Sequence, residues 1–136
     1  MAYRKDWGQP QAGLLGEART LKMFGRVVTI GTADNVTGNT VGAFMVPAGF
    51  TVTAIQGSAT DMDSGAAMLV TVGDSGSANR LVTSLNTQAA VSSLTLAAAG
   101  LLYTFPTDTE ILITIATQAG TAVAGTMTIL LTGYVS

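Results

Sequence analysis

The sequence predicts an all-β domain, about eight short strands packed as a sandwich, and three observations carry that expectation. From Arg26 onward apolar residues alternate with threonine and other polar residues at a period of two. Gly, Pro, Asn, Asp and Ser interrupt the alternation at the spacing of roughly 8 to 12 residues typical of sandwiches and barrels. No segment after residue 26 carries a persuasive helical stripe. At 136 residues the chain has room for one domain.

The first 25 residues differ from the rest. Trp7, Gly8, Pro10 and Gly13 break any regular pattern, after which Leu14, Ala18 and Leu21 stand at the i, i+4, i+7 spacing of a short helix interrupted by Gly16. Residues 1–25 therefore read as an extended arm or short helix, and 26–136 as the β domain. "RVVTI" opens the strand series and "GTADNVTGN" forms a loop; "TVGAFMV", Thr40 to Val46, is the second strand. Pro47 is expected at the second position of a tight turn that Gly49 completes. "FTVTAIQ" then sets Phe50, Val52 and Ala54 against Thr51 and Thr53, the pattern of a half-buried strand. "AAMLVTV", "NRLVTSL", "AVSSLTLA" and "GLLYTFP" continue the series. The alanine run before Gly100 also permits a short helix, but its β-branched surroundings favour strands. At the C-terminal end Ile111, Ile113 and Ile115 share one face, as do Met127, Ile129 and Leu131 after a Gly-rich link. These two runs read as adjacent strands.

Composition narrows the function. Charged residues make up 10% of the chain, against about 25% in an average soluble domain, so much of the surface is Thr, Ser, Asn, Gln and Gly, which suits burial against partners. The net charge of −2 conceals two unlike parts. Residues 1–26 hold five basic groups (Arg4, Lys5, Arg19, Lys22, Arg26) against Asp6 and Glu17, for +3. Residues 27–136 hold Arg80 against Asp34, Asp61, Asp63, Asp74, Asp108 and Glu110, for −5. An acidic body repels phosphate, so direct nucleic-acid binding is not expected of it, whereas the basic leader suits an acidic protein surface. Cysteine and histidine are both absent, which removes disulfides, thiolate chemistry and the usual zinc ligands. "MAYRKDWGQPQAG" lacks the apolar core of a signal peptide, and no apolar run reaches the ~18 residues of a membrane span; synthesis in a cytoplasm, with no membrane partner, is expected.

Four features invite a chemical reading. "GDSGS" at Gly73 to Ser77 resembles the nucleophile string of trypsin-like proteases, but a seryl hydroxyl needs a base near neutral pH and the chain has no histidine. Asp63-Ser64-Gly65-Ala66 resembles the loop of small homodimeric aspartic proteases. That family places apolar residues where this chain has Thr60, Asp61 and Met62, and the extra Asp61 would disturb a shared-proton pair. Asp61, Asp63 and Asp74 are the candidate calcium ligands, although Val72 stands where an EF-hand requires its bidentate glutamate. Turn aspartates also accept hydrogen bonds from their own backbone, the more ordinary role for all three. Arg80, the lone cation of the body, is placed to pair with Asp74 across a hairpin. No phosphate loop, Cys/His cluster or basic aromatic patch points to a cofactor, and catalysis is not expected. Tyr103, Phe105 and Tyr134 are candidate surface aromatics, with core packing the simpler role.

The strings "VPAGFTVTAI", "TDMDSGAAMLVTVGDSGSANRLV", "LLYTFPTDTEILITIAT" and "AGTAVAGTMTILLTGYV" resemble the small β-sandwich virion proteins of tailed bacteriophages, especially head decoration or cement proteins with jelly-roll-like domains. The likeness spans about residues 40–136. It implies a structural protein on the capsid surface, bound at junctions of the major capsid protein and self-associating as a trimer or dimer. On that reading Arg4, Lys5, Trp7, Arg19, Lys22 and Phe24 are the candidate partner-binding residues. A receptor- or carbohydrate-binding module of a phage fibre or tail is the alternative.

Overall fold

A computed structural model describes residues 21–63, 65 and 67–135. Among the described residues seven strands form two antiparallel sheets: β1 (Leu21–Ile30), β2 (Thr40–Val46), β3 (Phe50–Ala59), β4 (Leu69–Gly73), β5 (Val82–Asn86), β6 (Thr109–Thr117) and β7 (Gly125–Val135). The three-stranded sheet runs β1-β7-β3 and the four-stranded sheet β2-β6-β4-β5. First and last strands lie side by side, and β1, β2, β3 and β4 alternate between sheets, the wiring of a jelly roll. The eighth strand of that plan would follow β5 and flank β3. Its place is taken by the loop-rich segment 87–108, which touches β3 through single bridges from Val91 to Ala59 and from Thr104 to Thr51. Two segments expected as strands, "AVSSLTLA" and "GLLYTFP", are thus reduced to bridges. A turn at residues 98–102, with Leu102 at φ 60°, breaks their extension.

The core follows from strand parity. Ile111, Ile113 and Ile115 of β6 and Met127, Ile129 and Leu131 of β7 are fully buried, as are Phe50 and Val52 of β3 and Val70 and Val72 of β4. Each such side chain contributes about 1.5–3 kcal/mol by leaving water. β6 and β7 are not hydrogen-bonded neighbours, contrary to expectation: each is central to its own sheet. One buried face per strand is equally compatible with two facing sheets, which is the arrangement found.

Local departures from strict alternation have visible causes. A register shift between Val52 and Ala54 puts Ile55, not Ala54, in the core. Thr51, expected to face water, is buried because Thr104 covers it, their hydroxyls 2.6 Å apart. Pro47 occupies the first, not the second, position of its turn, since Phe50 N donates to Pro47 O (3.2 Å); Gly49 at φ 85° supplies the left-handed third position. β1 begins at Leu21, so Leu21 to Gly25 belong to the sheet rather than to the arm. Of the expected helical stripe only Leu21 is described, and it is a strand residue; Leu14, Ala18 and residues 1–20 generally lie outside the described residues.

Candidate functional site

The aspartate loops resolve into internal staples. Asp63, 1% exposed, accepts through Oδ1 from Gly65 N (2.7 Å) and Thr121 N (3.2 Å), and through Oδ2 from Gly120 N (3.2 Å). Asp61 Oδ1 accepts from Asp63 N (3.0 Å). The carboxylate thereby ties the β3–β4 loop to the β6–β7 loop, and a bridge from Asp63 to Ala122 continues the contact. Burial pushes the Asp63 carboxyl up, but the three N–H donors outweigh it and hold it below the ordinary carboxylate range. An aspartic-protease dyad needs the opposite, two carboxyls competing for one proton, and Asp63 has both oxygens occupied by backbone.

Asp74 does the same work for the loop after β4. Its Oδ1 accepts from Gly76 N (2.8 Å) and Ser77 N (2.9 Å), and its Oδ2 from Arg80 Nε at 2.6 Å. Burial raises its pKa; the Arg80 hydrogen bond and the two amides more than reverse this. Arg80 is raised in turn by Asp74. The guanidinium lies over the Tyr103 ring, 3.9 Å from its centroid. Tyr103 meets Phe105 edge-on (5.0 Å), Phe105 stacks on Phe50 (6.5 Å), and Phe50 meets Phe24 edge-on (5.0 Å). A continuous row therefore links the surface ion pair to the core. Of the candidate surface aromatics, Phe105 is buried and Tyr103 is covered by Arg80. Among the described residues, Asp61, Asp63 and Asp74 do not converge with any other carboxylate into a metal-sized group.

The expected partner-binding residues divide. Arg4, Lys5, Trp7 and Arg19 lie outside the described residues. Phe24 is a packing residue, its ring against Phe50. Lys22 sits on β1 with Arg26, both exposed. Next to them stands a surface that sequence reasoning missed. Leu21, Met23 and Val27, 66%, 58% and 57% exposed, point away from the core along β1. They pair with Tyr134, Thr132 and Thr128 of β7, and the Leu130 side chain lies across Gly25, where a Cβ would collide with it. The signal was present in "LKMFGRV": Leu21, Met23 and Val27 share one parity and Lys22, Phe24 and Arg26 the other, but the helical spacing ending at Leu21 and the glycine at 25 made Leu21 to Gly25 read as leader.

No protein-family model matches the chain, and no curated protein does. Among solved structures, a chain of the cyanophage Pam1 capsid asymmetric unit superposes with a TM-score of 0.75 at 24% identity, covering 99% of this chain and 94% of that one. A chain of the capsid of Ralstonia phage GP4 superposes with a TM-score of 0.63 at 18% identity, covering 100% of this chain and 90% of that one. The chain shares its fold with components of two phage capsids.

Proposed function

We propose that the chain is a head decoration, or cement, protein: a structural component that sits on the capsid surface, binds at junctions of the major capsid protein and stabilises the shell. The observation that carries the reading is the end-to-end likeness to a chain of the Pam1 capsid, in which neither fold is a fragment of the other. The described chemistry agrees with a scaffold. Asp63 and Asp74 brace loops, and the charge-poor, Thr-rich exterior suits contact with several neighbours, each contact modest and their sum strong. The basic N-terminal residues Arg4, Lys5 and Arg19, with Trp7, dock on an acidic capsid surface, while the sandwich self-associates as a trimer or dimer about a local symmetry axis. The chain is made in the host cytoplasm and joins the virion there.

Deleting residues 1–20, which spares β1, and measuring saturation of purified undecorated capsids tests the arm. Occupancy falls by about tenfold or more if those residues supply one of several linked contacts. Undiminished occupancy removes the arm from the account, and the full chain failing to bind capsids at all removes the decoration role.

A further inference from the structure

We propose that the free edge of β1 is a strand-addition site for an extended segment of a neighbouring protein, one that carries acidic side chains on one face and apolar side chains on the other. The three-stranded sheet has two edges, and the described residues cover one of them. Along β3, Leu102 N donates to Val52 O (2.7 Å), Val52 N to Tyr103 O (3.0 Å) and Phe105 N to Phe50 O (2.9 Å), while Ala59 and Val91 exchange both of their bonds. β1, at the opposite edge, pairs among the described residues with β7 alone, over ten residues. Alternate residues of such a strand turn N–H and C=O outward, so about five of each line the edge.

Of the devices that blunt an edge, β1 lacks a bulge and a proline and keeps only charge. The other four ladders each contain a register shift, whereas β1–β7 runs through ten pairs without one, and β1 has no proline. What β1 does carry is Lys22 and Arg26, and the ion pair among the described residues, Arg80–Asp74, involves neither. These cations select the occupant. In an antiparallel pairing of two copies centred on Phe24, Lys22 would face Arg26 of the second copy and Arg26 its Lys22; other registers still gather four cations on one seam. A strand with carboxylates four residues apart, about 13 Å, instead neutralises both. Its other face then extends the outer patch of Leu21, Met23 and Val27. This site stands on strand geometry and charge, independently of the decoration role.

The probe is the peptide Thr-Val-Glu-Val-Thr-Val-Glu-Val-Thr, titrated into the isotope-labelled full chain with amide exchange as readout. The peptide is expected to slow exchange of outward amides between Leu21 and Val27 and to leave those of β3 unchanged. A version with Lys for Glu binds about tenfold more weakly, and Lys22→Glu with Arg26→Glu reverses that preference. Should the double variant lose its native near-ultraviolet spectrum, raising salt from about 0.05 to 0.5 M on the wild type replaces it and weakens the Glu peptide only. Absence of β1 protection, or equal binding of the two peptides, overturns the proposal. So does a free chain whose outward β1 amides are already protected, either in a concentration-dependent dimer or in a monomer that loses that protection when residues 1–20 are deleted.

Discussion

Replacing Phe50 with alanine removes the ring on which the aromatic row turns. Phe50 has no exposed surface, meets Phe24 edge-on at 5.0 Å and stacks with Phe105 at 6.5 Å. A phenyl ring hides on the order of 120 Å² beyond what alanine hides, worth about 3 kcal/mol at roughly 25 cal/mol per Å². Two ring pairs add about 0.5–1.5 kcal/mol each, and β3 is held on both sides, by β7 and by the bridge at Thr104, so little collapse into the void follows. The expected loss, at the low end of that sum, is about 4 kcal/mol. With 136 residues and roughly 2.1 cal/mol/K of unfolding entropy per residue, each kelvin is worth about 0.29 kcal/mol, so Tm falls by about 14 °C. Phe24→Ala, which removes a partly buried ring from the edge strand β1, costs about 1–2 kcal/mol, or about 3–7 °C. Thermal unfolding followed by circular dichroism, with urea midpoints at unchanged m-value as a check, reads both. A shift under about 4 °C for Phe50→Ala, or a larger shift for Phe24→Ala, refutes the placement of Phe50 at the centre of the row.

Two further perturbations address the loops. Asp63→Asn preserves shape but offers one acceptor oxygen where Gly65, Gly120 and Thr121 present three donors, so the urea midpoint at pH 7 drops. Because the folded-state pKa of Asp63 lies below its unfolded value, its contribution is complete above about pH 4 and disappears as pH falls through the folded pKa. The gap between wild type and variant therefore closes in acid, and a gap independent of pH from 7 down to 2.5 contradicts the staple. Arg80→Lys keeps the charge yet loses both the fork to Asp74 and the flat contact over Tyr103. It costs about 1–2 kcal/mol and speeds hydrogen exchange at Gly76 and Ser77; protection equal to wild type would show that Arg80 does not brace that loop.

How much of this was legible in the sequence depends on the range of each interaction. Alternation within a strand is a local property, so β2 was bounded correctly at Thr40 and Val46, and the isoleucines of β6 and the Met-Ile-Leu set of β7 were readable as buried faces. The Asp74–Arg80 pair, six residues apart across one turn, was readable for the same reason. Partnership between strands was not. Nothing in the isoleucine periodicity distinguishes a β6 beside β7 from a β6 facing it, because both bury one side of each strand. The Asp63 staple needs Gly120 and Thr121, 57 and 58 residues away, brought to it only when the two sheets close.

Tertiary pairing also decided the misread ends. The helical spacing that ends at Leu21, with Gly25 after it, hid the first half of β1, Leu21 to Gly25, within the leader; the ladder with β7 makes one strand of Leu21–Ile30, whose other edge has no partner among the described residues. Segment 87–108 has the composition of strands yet makes only two bridges to β3. Local sequence thus determined which residues prefer an extended backbone and which face of it leaves water; pairing across the chain decided which of those segments became strands, in which sheet, and which edge stayed open, since those choices rest on hydrogen bonds between residues that no short window contains.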